Sequence, residues 1–401
     1  MKKNLLLICL AFMSVFLFAN EEINMNSRME NFFAKIKRGE EVKVVAIGGS
    51  ITTGFSANPV AAKCWAGLTG KWLKELAAQN GSKLAFYNRG VSGTDSAFGV
   101  ARLDSHVLSL NPDFVIVEYA MNDQWLDAKV RKRTYESILR RILESSDAAI
   151  LALFVNEKNP PYNSNQAEQE KICKYYDIPY VSWKDCLFAD NPVASFKDYF
   201  NGEENVHPNN AGHAKIAEYI IASLDSMWKN APAADASSIA INRTLPAPMT
   251  DKAFENAKYY HSDNIEPLNN SGWKKGSPVH SEWVSHGDAH KGWETNVAGA
   301  EMTFEVTGTC VGITYCESDQ FRDALAWVEK EDGSISQKVP LLCYSSYRNG
   351  YYGWAYKELA NDKKVQKYIV HVQCSKRAPK SAEGKYCNIT GILVGGEKYF
   401  Y

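Results

Sequence analysis

A serine hydroxyl attacks a carbonyl effectively only when a base accepts its proton, and near neutral pH the side chain best suited to that role is histidine. The segment Gly48-Gly49-Ser50-Ile51-Thr52-Thr53-Gly54 follows a β-branched run. Its two leading glycines allow a sharp turn that presents the Ser50 hydroxyl with its own N–H exposed. A serine in such a place also fits a plain helix cap. Gly49 to Gly54 spells G-x-x-x-x-G, but Phe55-Ser56 follow where a phosphate loop needs Lys and then Ser or Thr. G-x-G-x-x-G is absent, and Thr52 stands where a G-x-S-x-G elbow needs its last glycine. Of the three histidines in residues 1–230, His106 sits mid-helix between apolar positions and reads as a packing or surface residue. His213 lies inside the start of a helix and reads as a cap or packing group. His207, in a loop and followed by Pro208, is left as the base.

The elements that must hold these residues alternate in type. Short β-branched runs at 42–47, 84–88, 114–119, 149–154 and 179–182 are separated by apolar residues at helical spacing, such as Trp65, Leu68, Trp72, Leu73 and Leu76, or Ile138, Ile142 and Leu143. A last helix spans about 210–228. This pattern predicts an α/β, doubly wound, five-stranded parallel sheet covered on both faces, with its ligand site beyond the carboxyl ends of the strands. Residues 231–249, rich in Ala, Pro and Ser, read as a linker. From 250 to 401 the period changes to two, as in Met302, Phe304 and Val306, or Val311, Ile313 and Tyr315. With turns such as Glu331-Asp332-Gly333-Ser334, this predicts an antiparallel, jelly-roll-like β-sandwich.

Four loops follow the carboxyl ends of these elements: the Ser50 turn, Asn88-Arg89-Gly90-Val91-Ser92-Gly93-Thr94-Asp95-Ser96, Ala120-Met121-Asn122-Asp123, and Glu203-Glu204-Asn205-Val206-His207-Pro208. In this order they resemble the four blocks of the SGNH (GDSL) hydrolase family, over residues 42–224. The resemblance implies a flavodoxin-like fold for residues 25–230, with Ser50 as nucleophile and with the Ser50 amide, Gly93 and Asn122 forming an oxyanion hole. It also implies that Glu204 and His207 fill the family's D-x-x-H, with Glu for the usual Asp. Gly48-Gly49-Ser50 replaces the usual Gly-Asp-Ser, a change that spares the chemistry. The extra methylene of Glu204 leaves two arrangements open: a Ser-His-Glu triad, or a Ser-His dyad in which a backbone carbonyl orients the imidazole. Asp123 reads as a loop support, Glu203 as solvated, and Phe55 and Trp125 as core rather than as walls for an acyl or sugar group.

Charge and composition restrict the partners. Lys plus Arg number 45 against 46 Asp plus Glu, so no bulk field favours nucleic acid or an anionic membrane surface. Lys2 and Lys3, an apolar run over 5–18 and Ala19 read as a signal peptide of residues 1–20, which predicts a secreted or periplasmic protein. Export permits disulfides among Cys64, Cys173, Cys186, Cys310, Cys316, Cys343, Cys374 and Cys387. Cys310 and Cys316 share one strand and cannot reach each other, and other pairings stay open beside buried free thiols. No C-x-x-C occurs, and His286-Gly287-Asp288-Ala289-His290 reads as a loop rather than a metal site.

The aromatic residues Tyr259, Tyr260, Trp273, Trp283, Trp293, Trp327, Tyr344, Tyr347, Tyr351, Tyr352 and Trp354 allow two readings, sandwich core or sugar-stacking surface. With the resemblance, the layout implies a secreted acetylesterase acting on acetylated poly- or oligosaccharide, in the family's usual pattern plant cell-wall polysaccharide, without metal or organic cofactor. The alternatives are a lipase, lysophospholipase or thioesterase on the same machinery, an acetyltransferase, and a carbohydrate-binding protein whose catalytic domain is degenerate. The sequence does not specify an oligomeric state.

Overall fold

Aliphatic runs without polar alternation can be buried on both faces only in a sheet covered by helices on each side. Three such runs, flanked by two partly exposed edge strands, form that sheet in the computed structural model. Residues 25–232, 239–276, 291–346, 352–377 and 386–396 are described. The expected leader at 1–20, Trp283, the loop 286–290, and Tyr347 and Tyr351 lie outside the described residues. The strands are β1 (Val42–Gly48), β2 (Leu84–Gly90), β3 (Phe114–Glu118), β4 (Ala149–Phe154) and β5 (Tyr180–Ser182). They pair in parallel in the order β2-β1-β3-β4-β5. Side chains alternate across the sheet: Val44, Ala46 and Ile116 meet the helices Trp65–Gln79 and Asn210–Asn230, while Val45, Ile47 and Val117 meet Ser96–Ala101 and Ala128–Ser145. The chain reverses its winding between β1 and β3, and the loops after both strands open there.

One helix was not anticipated by periodicity. Ser27–Lys37 is capped by the Asn26 side chain, which accepts from the N–H groups of Arg28 and Met29, and it buries Met29, Phe32 and Phe33 against the first of these two faces.

The second unit is an antiparallel sheet that curls on itself. Its two long strands, Glu301–Glu317 and Gly353–Cys374, pair along their length, with register shifts at Gly308/Cys310 and Val311/Gly312. Bulges of this kind bend a ribbon and sharpen its twist. On one side of the bend the ribbon pairs with Ala324–Lys330, and on the other with Cys387–Gly395. Met302, Phe304, Val306, Val311, Ile313, Val370 and Val372 fill the interior between the two halves, as their period of two requires. Trp273, Trp293, Trp327 and Trp354 are buried, so these aromatics are core and not an open sugar-stacking platform.

The segment read as a linker is tied down along its second part. Arg140 donates to Pro246 O at 2.8 Å, Tyr175 OH donates to Ala247 O at 2.8 Å, and Arg140 pairs with Glu255 at 2.8 Å. Ala253, Phe254, Cys310, Tyr356 and Leu393 join the same apolar cluster as Val100, Ile138 and Ile142, so the two sheets are joined through one shared core. Among the described residues no helix is long and apolar enough to cross a membrane.

Candidate active site

β1 ends at Gly48, and the chain enters the short helix Ser50–Thr53 directly. A Cβ on Gly48 would lie 2.2 Å from Thr52 Oγ1, so only glycine lets this turn close so tightly. The turn is anchored from below. Arg102, fully buried, donates to Gly48 O at 2.9 Å, and Thr52 Oγ1 donates to Glu118 Oε2 at 3.0 Å. Burial pushes the Glu118 carboxyl up to about 7, against the pull of its hydrogen bonds. The result is a fixed perch for Ser50, whose residue is 6% exposed.

Ser50 Oγ lies 2.9 Å from His207 Nε2. Two loops distant in sequence therefore meet at the carboxyl rim of the sheet. The His207 loop is held by the loop after β4: Lys158 N–H donates to Asn205 O at 2.9 Å, Asn159 N–H to Asn205 Oδ1 at 3.1 Å, and Lys158 Nζ to Gly202 O at 2.7 Å.

Glu204 uses its two oxygens differently. Oε1 accepts from the N–H groups of Asn205, Val206 and His207 at 3.0, 2.8 and 3.3 Å, which clamps the loop. Oε2 stands 3.3 Å from His207 Nδ1, within reach of its charge but not aligned as a hydrogen bond. The neighbouring imidazole, with the Val206 and His207 amides, holds the Glu204 carboxyl down to about 2 despite partial burial. Glu203 is exposed.

Phe55 is not core. Its ring packs on the His207 ring at 4.4 Å between centroids, tilted by 42°. Its carbonyl lies 3.1 Å from His213 Nε2, while His213 Nδ1 accepts from Trp65 N–H at 3.4 Å. That accepting nitrogen assigns the ring proton to Nε2, so a neutral His213 braces the residue that packs against His207. Burial pushes His213 down to about 4. His106 is buried beside Arg102, at 3.1 Å, and takes no part in the site.

On the other side of Ser50 lie Gly93 and Asn122. Asn122 Nδ2 donates one proton to Thr94 O at 2.7 Å, which leaves the second N–H uncommitted by that bond. The same nitrogen lies 3.0 Å from where a Cβ on Gly49 would stand, so the glycine at the position of the family's usual aspartate leaves room for the amide. Asp123 is fully buried and accepts from Ser96 N–H and Gln169 Nε2, each at 2.8 Å, tying the Gly93 and Asn122 loops together. Burial, then the charge of Asp95, pushes its carboxyl well above the usual range.

Gly93 has φ +72°, and its surroundings come from the second unit. Trp354 N–H donates to Gly93 O at 3.0 Å, and the Trp354 ring stacks on Phe98 at 4.7 Å. Sequence reasoning missed this contact, because a buried tryptophan on a strand carries no local sign of which surface it meets. A cleft of about 530 Å³ opens beside Gly93 and Asn122. Trp125, Asp127 and Lys129 line it from the first unit, and Tyr315, Glu317 and Lys357 from the second. Trp125, expected in the core, is 60% exposed there.

Residues 46–215 match the model of the GDSL-like lipase/acylhydrolase family. Among curated proteins, thioesterase 1/protease 1/lysophospholipase L1 of Escherichia coli (strain K12) is 25% identical over 192 residues, covering 46% of this chain and 84% of that protein. Among solved structures, a two-domain esterase (CEX) active on acetylated mannans, co-crystallized with mannopentaose, is similar with a TM-score of 0.78 and 23% identity. A second structure of that esterase gives a TM-score of 0.78 and 22% identity. Both comparisons cover 93% of this chain and 96% of the other, and at such identity they establish a shared fold across both units.

Proposed function

We propose, from the match of residues 46–215 to the GDSL-like lipase/acylhydrolase family, that the chain is an exported serine esterase that removes acetyl groups from carbohydrate. The observation that carries this reading is the 2.9 Å approach of Ser50 Oγ to His207 Nε2, with Gly93 and Asn122 on the other side of Ser50 lining a cleft walled by both units. Ser50 attacks the acetyl carbonyl as His207 takes its proton. His207 then returns the proton to the leaving sugar hydroxyl, and water, activated by the same imidazole, releases acetate. The Ser50 and Gly93 amides and the second Asn122 N–H receive the oxyanion, each donor being worth about 3 to 4 kcal/mol in such sites. Glu204 stabilises the imidazolium chiefly by its charge and by holding the loop, an arrangement between triad and dyad. The polar and aromatic lining of the cleft suits a sugar chain. Its likeness in fold to an esterase active on acetylated mannans supports an acetylated polysaccharide as the substrate class. The basic, apolar N-terminal residues support export.

The test compares the native chain with Ser50→Ala on p-nitrophenyl acetate and on acetylated mannan and xylan. Acetate release by the native chain and its loss in the variant are expected. Retention of the polysaccharide in an affinity gel without any acetate release would favour a binding protein instead. A second reading, hydrolysis of longer acyl esters, has its own observation. An apolar groove of about 660 Å³ runs past Thr53, Val60, Cys64 and Phe86, one turn beyond Ser50. Higher kcat/KM for octanoyl than for acetyl p-nitrophenyl esters would select that reading.

A further inference from the structure

The second unit brings two sulfur atoms together from strands that do not pair. Cys374 ends Gly353–Cys374 and Cys387 begins Cys387–Gly395, and Glu301–Glu317 lies between these strands in the sheet. Their ends nevertheless converge on the start of Ala324–Lys330. Cys374 is in register with Ala324. The Asp323 carbonyl accepts from Ser375 N–H at 2.9 Å and from the Cys387 thiol at 3.0 Å. The Arg322 carbonyl lies 3.1 Å from the same sulfur. One carbonyl is thus shared by the residue after Cys374 and by the Cys387 side chain, so the two cysteines flank the same backbone group.

Both cysteines are fully buried, and their environments differ in a way that suits disulfide chemistry. The Cys387 thiol and the Arg322 guanidinium hold the Cys374 thiol below its usual range, whereas burial and the Cys374 sulfur push Cys387 above it. Other thiols have different partners. Cys64 accepts from Gly67 N–H, Cys173 faces Tyr135 OH, and Cys310 faces Tyr356 and Glu358.

We propose that Cys374 and Cys387 form a disulfide when the chain folds in contact with a disulfide oxidant, clipping together the two ends of segment 375–386. The oxidant is a small-molecule or protein disulfide. The Cys374 thiolate attacks one of its sulfur atoms, forming a mixed disulfide and expelling a thiolate that takes up a proton. Cys387, on losing its proton, attacks the Cys374 sulfur, forms the internal S–S bond and expels the second thiol. Two protein thiols and one oxidant disulfide become one protein disulfide and two oxidant thiols, so atoms and electrons balance.

The test refolds the full chain from denaturant in oxidised and reduced glutathione, alkylates the free thiols and maps the peptides. The expected map has one cross-link, Cys374 to Cys387, with loss of two hydrogens and every other cysteine alkylated. Cys374→Ser and Cys387→Ser should each leave the remaining partner alkylated. The native map stands alone if either variant fails to fold. Alkylation of both residues in the refolded native chain, or a cross-link from either to another cysteine such as Cys343, would overturn the proposal.

Discussion

Substituting Gly93 by alanine tests the assignment of its amide and the part played by the second unit in holding it. Two costs can be read from the geometry. At φ +72° a residue with a Cβ pays about 1 to 2 kcal/mol in backbone strain. The added Cβ would also lie 2.9 Å from Tyr352 O and 3.2 Å from Gly353 Cα, both backbone atoms of the second unit. Relief of that contact needs a shift of about half an ångström, enough to take a hydrogen-bond donor out of a preorganised site. Loss of one oxyanion donor lowers kcat by about 100- to 1000-fold. A matched control exists in Gly81, which has the same φ of +72° but nothing within 4 Å of its would-be Cβ. Gly81→Ala should therefore lose only the strain share, about 1 to 2 kcal/mol, and keep full activity. The assay is kcat on p-nitrophenyl acetate together with urea unfolding for both variants. A folded Gly93→Ala protein within about threefold of native kcat would refute the assignment of this amide and the restraint attributed to Tyr352.

Three further outcomes are expected. Glu204→Gln should lower kcat by about 10- to 100-fold, less than loss of an aligned orienting group would cost, because Oε2 is near His207 Nδ1 without bonding to it. Since the Glu204 pKa is depressed from 4.5 to about 2, its stabilisation is complete above about pH 4.5 and is lost as pH falls through 2, and urea titrations of the variant should lack that acid step. His213 is depressed from 6.5 to about 4, so its unfolded form takes a proton first: stability should fall by roughly 3 kcal/mol between pH 6.5 and 4, and His213→Gln should flatten that slope. Truncation at residue 249 should abolish hydrolysis even of small esters, since it removes Phe254, Glu255 and the Trp354 contact to Gly93; a folded truncation with native kcat on p-nitrophenyl acetate would confine the second unit to targeting.

What was legible in the sequence follows from the range of the forces involved. The central strands β1, β3 and β4 could be read because each is buried on both faces and needs a largely aliphatic run, while the edge strands β2 and β5 are partly exposed and were marked by their place in the alternation with helices. The period of two in Met302, Phe304 and Val306 likewise marked a sheet with one buried face. The four loops were visible because turns and special backbone angles demand particular residues at fixed spacing. The roles of Phe55, Trp125 and Trp354 were not. An aromatic side chain gains nearly the same free energy from any apolar surface, so its local sequence does not record whether it packs in a core, covers an imidazole or lines a cleft. The division of labour within Glu204 was hidden for a related reason: it depends on where three amides and one ring nitrogen lie after the loop has closed.

The hydrogen bond from Trp354 to Gly93 also bears on when the protein becomes competent during synthesis. Ser50, Glu204 and His207, the proposed nucleophile, carboxylate and base, are all made before residue 210, yet the strand Gly353–Cys374 that braces the Gly93 loop is made only later. A nascent chain could bring Ser50 to His207 and still lack a fixed cradle for negative charge. On the proposed roles, ester cleavage would thus await synthesis of that later strand, keeping the site dormant while the first unit alone has emerged.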